Sequence, residues 1–161
     1  MSEAEGFVEL LQARRWAEPD RLFARFEGAP ISFATLGAEA DAFASGLRRL
    51  GVARGDRVAV MLRNSRAALA VAFGLARAGA VWVPVNVQQR GEGLRYILDH
   101  SEPRLVIADA DLVATIRESG SQRNSTSPSR AADTSAAASP AKRSMACVSC
   151  TPLGAPVVPE V

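Results

Sequence analysis

GLARAGAVWVPVN, residues 74–86, decides how this chain is read. Small and apolar residues at helical spacing run through Ala76, Arg77 and Ala78 and stop at Gly79. An apolar, strand-like run follows, and Pro84 interrupts it before Asn86. A phosphate-binding glycine lies after a strand, where a helix N-terminus points free N–H groups at the anion. Gly79 has the opposite setting, with a helix before it and a strand after. It is expected to be a C-cap turn. Val83 must be extended because a proline follows it. Pro84 has no N–H to donate and belongs near a strand end or sheet edge. Asn86 can then bond the turn backbone with its side chain. The stretch is a joint between a helix and a strand.

Two similar apolar runs flank it, Val58-Ala59-Val60-Met61-Leu62 before and Leu105-Val106-Ile107-Ala108 after, with Ala80 to Val85 between them. Helix-like segments over 65–78 and 92–101 separate the three. Short continuous apolar runs that alternate with helices indicate parallel strands buried on both faces, joined by right-handed crossovers. A last helix is expected over 110–119, with Asp109 as N-cap and Leu112, Val113 and Ile116 turned inward.

Upstream, residues 3–15 carry Phe7, Leu10, Leu11 and Arg14 at helical spacing. RLFARFEGAPISF (21–33) reads as a hairpin turning through Glu27-Gly28-Ala29-Pro30. Thr35 is the expected N-cap of an amphipathic helix through Leu36, Ala40, Phe43, Leu47 and Leu50, ending at Gly51 as its C′ residue. The fold class is α/β: an N-terminal hairpin and helices, then a strand-helix-strand-helix-strand-helix parallel sheet unit.

The composition breaks near residue 120. Of the 41 residues in 121–161, 24 are Ser, Thr, Ala or Pro, none is aromatic, and Leu153 is the only Leu, Ile or Phe. Such a segment buries too little apolar surface to offset the entropy of ordering it. Two regions are expected: a folded part over 1–120 and a disordered Ser/Ala/Pro-rich tail over 121–161, with at most a short helix around 131–138.

A chain of 161 residues with net charge +2 is one ordinary domain, and its balance does not argue for nucleic acid or a membrane surface. The longest apolar run, 67–76, is far short of the roughly 18 residues that cross a bilayer. The start, MSEAEGFVEL, is acidic and does not look like a secretory signal. The expected location is the cytoplasm, with no transmembrane segment and no nucleic-acid partner.

Several motifs invite a functional reading. Gly91-Glu92-Gly93 would open a dinucleotide fingerprint, but the third glycine position is Tyr96 and no strand leads directly into it, so it is the turn that starts a helix. Gly51 and Gly55 precede a strand instead of following one, and Arg54-Gly55-Asp56 is the turn leading into that strand. Cys147 and Cys150 form a CxxC without a preceding strand, and the only other thiol or imidazole is His100, so they are read as incidental thiols in the tail. His100, in the last turn of its helix, is suited to the helix dipole. No residue is assigned as catalytic, cofactor-binding or metal-binding.

GLARAGAVWVPVN nevertheless resembles the alanine-glycine-valine-proline-asparagine signature found early in the adenylate-forming (AMP-dependent) superfamily, particularly the acyl-CoA synthetases. ISFATLGAEADAFASGLRRLGVARGDRVAVML (31–62) and YILDHSEPRLVIAD (96–109) resemble the flanking segments in order and spacing. The resemblance covers about residues 15–119 and implies the N-terminal part of a ligase of fatty acid metabolism. Such enzymes activate a small carboxylic acid with ATP and Mg²⁺ as an acyl-adenylate, release pyrophosphate, and pass the acyl group to CoA. Their phosphate loop is rich in Ser, Thr and Gly and ends in lysine; it, the metal carboxylate and the C-terminal lysine domain come later in the family. Residues 124–130, Asn-Ser-Thr-Ser-Pro-Ser-Arg, lack the glycines and the lysine of that loop.

The resemblance therefore implies a truncated, inactive fragment. The switch in composition where the family continues with another strand points to a reading-frame shift near codon 120. A non-catalytic binding or regulatory module on the truncated fold is the alternative; a nicotinamide-dependent enzyme is disfavoured by the missing glycine fingerprint. Uncovered sheet edges and apolar faces lead us to expect self-association.

Overall fold

A computed structural model describes residues 6–121 and 146–150. The elements are α1 (Phe7–Ala17), β1 (Leu22–Phe26), β2 (Ala29–Ser32), α2 (Phe33–Arg49), β3 (Arg57–Met61), α3 (Arg66–Ala78), β4 (Val81–Pro84), α4 (Gly91–Ser101), β5 (Leu105–Asp109), a 3-10 turn (Ala110–Leu112), α5 (Val113–Ser121) and β6 (Ala146–Cys150). β1 and β2 form an antiparallel hairpin, and the other strands form a parallel sheet in the order β4-β3-β5-β6.

Alternation along the central strands divides the core in two, because successive strand residues point to opposite faces. Val58 and Val60 of β3, with Leu105 and Ile107 of β5, pack on Leu47 of α2 and Val71 and Leu75 of α3. Ala59, Met61, Val106 and Ala108 pack on the other face against Leu94 and Leu98 of α4 and Leu112 and Ile116 beyond β5. The chain moves from β3 to β4 in one direction and from β4 past β3 to β5 in the other. A common crossover hand then requires the connecting helices to lie on opposite faces.

A third cluster lies outside α2 and α3, where Leu11, Ile31 and Leu36 are buried beside Phe23, Phe26, Phe33, Leu69 and Phe73. The Phe23 ring meets Phe33 and Phe73 edge-on at 5.5 and 5.8 Å. Asp41 of α2 ties this layer together by ion pairs to Arg15 of α1 and Arg77 of α3. α2 and α3 approach closely at Gly74, where an added Cβ would lie 2.7 Å from Phe43.

The α/β class and the parallel unit hold, with local corrections. The hairpin turns on Glu27 and Gly28 alone, both with positive φ (49° and 82°), while Ala29 and Pro30 already belong to β2. A two-residue loop with both φ positive matches the strand twist, so it displaces the longer turn. The N-cap of α2 is Ser32, not Thr35; the Thr35 N–H donates to Ser32 Oγ at 3.2 Å. Asp109 makes no side-chain cap, because its carboxylate is taken by Arg63; a 3-10 turn precedes α5, and Val113 is only half-buried. α1 buries Leu11 alone, leaving Phe7 and Leu10 exposed. Burial on both faces holds for β3 and β5 but not β4, an edge strand with Val81 and Trp82 in solvent. Within the segment expected to be unstructured, 146–150 form β6 beside β5, so Cys147 and Cys150 lie in a strand. The helix expected around 131–138 lies outside the described residues.

Candidate functional site

The joint of residues 74–86 has the geometry its sequence implies. α3 starts at Ser65, whose Oγ accepts from the Ala68 N–H at 3.1 Å. It ends at Gly79 with φ 71°. The Gly79 N–H donates to Ala76 O and the Ala80 N–H to Leu75 O, each at 3.0 Å, which is the paired C-cap bonding of a Schellman turn. Gly79 O in turn accepts from the Gly55 N–H at 2.8 Å. Beyond the strand, Asn86 Oδ1 accepts from the Gln88 N–H at 2.8 Å and Asn86 O from the Gln89 N–H at 2.9 Å.

The other marked residues take structural positions. Gly51 closes α2 with φ 76°, its N–H donating to Arg48 O. In Arg54-Gly55-Asp56, the Asp56 carboxylate accepts from the Ala53 N–H at 2.9 Å and shapes the turn before β3. Gly91 starts α4 and Gly93 lies inside it. Tyr96, on the exposed side of that helix, stacks on His100 with centroids 5.6 Å apart. Residues 124–130 lie outside the described residues. Among the described residues, no three His, Cys, Asp or Glu side chains group as a metal site, and no helix is long and apolar enough to cross a membrane.

Open α/β sheets bind ligands in the crevice at the C-terminal ends of strands whose connections diverge. That position lies between β3 and β5, since α3 and α5 leave toward opposite faces. It holds a charge cluster that the sequence did not disclose. Arg63, just past β3, donates from its backbone N–H and its Nη1 to Asp109 Oδ2, both at 3.0 Å. The same guanidinium reaches Asp111 with both terminal nitrogens, at 2.9 and 2.7 Å. The hydrogen bond from Arg63 holds the Asp111 carboxyl below the usual carboxylate range, and the reciprocal bond strengthens the charge on Arg63. An arginine bonded in this way stays protonated and cannot act as a base. The only sequence signal was a charged residue at each of two strand ends, more than forty positions apart.

A triphosphate needs clustered free N–H groups and an uncommitted cation. The N–H groups of Gly51, Gly55 and Gly79 are bonded to carbonyl oxygens, and Arg63 is held by two carboxylates. None of these three amides is free; Arg63 clamps the ends of β3 and β5 together, and the glycines lie in turns at the opposite rim of the sheet.

The fold is thus an open, largely parallel α/β sheet whose diagnostic stretch is a structural joint. The AMP-binding enzyme family matches residues 11–154; the chain belongs to that family. A medium/long-chain-fatty-acid–CoA ligase, FadD6 of Mycobacterium tuberculosis, is 34% identical over 104 residues, which are 65% of this chain and 17% of the relative. A benzoate CoA ligase from Burkholderia xenovorans superposes with a TM-score of 0.67 at 26% identity, over 73% of this chain and 24% of that one. The N-terminal domain of FACL13 from Mycobacterium tuberculosis does so with a TM-score of 0.66 at 29% identity, over 77% and 31%. The chain spans about a sixth of the curated relatives' length.

Proposed function

We propose that this chain is a scaffold portion of an ATP-dependent acid–thiol ligase acting in the cytoplasm on a small carboxylic acid, and that alone it is inactive. The carrying observation is the family match over residues 11–154, joined to a strand-end crevice whose cation Arg63 is held by two carboxylates. Adenylation is accelerated by placing the triphosphate, its metal and the carboxylate in line and by stabilising charge on the leaving pyrophosphate. Gly79, Pro84 and Asn86 shape the sheet and touch neither nucleotide nor acid. The acids in the relatives' names range from long aliphatic to aromatic, so only the carboxylic acid class is assigned.

The isolated chain is also proposed to self-associate through apolar side chains in solvent, chiefly Val81 and Trp82 at 47% and 51% exposure.

The test of activity is pyrophosphate release with CoA and short, medium, long and aromatic acids, alongside calorimetric titration with ATP–Mg²⁺. No turnover and no binding heat are expected. Turnover that survives repurification and is lost on substitution within residues 1–120 would overturn the reading.

A further inference from the structure

Among the described residues β4 is the outer strand of the parallel sheet and pairs with β3 alone, and such an edge ordinarily offers a row of N–H and C=O groups to a further strand. Which groups face outward follows from the observed bonds. The Val81 N–H donates to Asp56 O at 2.8 Å and the Val85 N–H to Val60 O at 2.9 Å, both toward β3. In a parallel ladder alternate residues bond to the same neighbour. Residues 81, 83 and 85 therefore address β3, and 80, 82 and 84 face away from it.

Of the three outward positions, two have no donor to give. The Ala80 N–H is consumed by Leu75 O in the cap of α3. Residue 84 is proline, which has no N–H and puts its ring where an incoming acceptor would sit. Trp82 alone retains an outward N–H. We infer that the joint of residues 79–84 is built to close the sheet: its cap and its proline together deny a second copy of this chain the consecutive hydrogen bonds needed to extend β4. Pro84 can do this without weakening β3–β4, because its nitrogen lies on the side that β3 does not use. Association through the side chains of Val81 and Trp82 is left open, whereas growth by strand addition is not. The inference holds whether or not the ligase reading does.

The test uses the full chain and Pro84→Thr, which restores the missing donor and suits a strand. Sedimentation velocity across a concentration series is combined with amide hydrogen exchange at a low and a high concentration. Pro84→Thr is expected to shift to heavier, concentration-dependent species and to gain at least tenfold protection at Trp82 and residue 84 on concentration. The parent chain is expected to leave Trp82 exchanging at the same rate at both concentrations, even where it associates. If Pro84→Thr folds by circular dichroism and matches the parent in both measurements, the inference is wrong. Should that variant fail to fold, Pro84→Ala restores the same donor and is read by the same criteria.

Discussion

β5 and β4 belong to one sheet, both pair with β3, and both are written as short apolar runs, yet they end up in opposite environments. Leu105, Val106, Ile107 and Ala108 are all buried, whereas Val81 and Trp82 stand half in solvent. β5 has a strand on either side and helices over both faces; among the described residues β4 has one neighbour, β3. An apolar run therefore specifies membership of a parallel sheet, while burial is specified by what the rest of the chain puts around it.

The largest effect should come from truncating each strand. Ile107→Ala removes a side chain from a filled core and is expected to cost about 2–5 kcal/mol, seen as a large fall in the urea midpoint. Val81→Ala, at an exposed edge, should cost about 1 kcal/mol or less. Equal losses would mean that β4 is covered in solution.

The same contrast recurs between two glycines of the helical layer. Gly74→Ala would drive a methyl into Phe43 where α2 and α3 touch, and should destabilise by about 1–3 kcal/mol. At Gly46, inside α2, an added Cβ meets nothing within 4 Å, and Gly46→Ala should stabilise by roughly 1 kcal/mol through helix propensity. Thermal unfolding of the pair reads out the difference in sign; two losses would show α2 to be tighter than described.

The smallest effect belongs to the exposed clamp at the strand ends. The folded pKa of Asp111 lies below its unfolded value because of the bond from Arg63. Its contribution is therefore present above the unfolded carboxylate range, about pH 4, and disappears as pH falls through the folded value. Asp111→Asn should be slightly less stable than the parent at neutral pH and indistinguishable from it in strong acid. Denaturant titrations at both pH values check this, and a gap that widens on acidification would contradict the pairing.

What could be read from the chain beforehand follows the same logic. The runs at β3 and β5, the caps at Gly51 and Gly79 and the turn at Asn86 rest on signals within a few residues of each other. The Ser32 cap was missed because Thr35, one turn later, is also an acceptable cap. Asp109 looked like a cap for the following helix, since only the folded sheet brings Arg63 beside it. β6 was missed because 146–150 stand out little from a Ser/Ala/Pro-rich context, and pairing with β5 is a long-range event.

The two rims of the sheet are fastened by different means. At the N-terminal rim the turns before β3 and β4 are joined by a backbone bond between Gly55 and Gly79; at the C-terminal rim β3 and β5 are held by ion pairs from Arg63 to the half-buried Asp109 and the exposed Asp111. Salt screens exposed charges over a Debye length that shrinks from about 10 Å at 0.1 M to about 3 Å at 1 M, and it leaves amide bonds nearly untouched. Ionic strength therefore acts more strongly on the rim where folds of this kind open toward a ligand than on the backbone bond that fastens the other end.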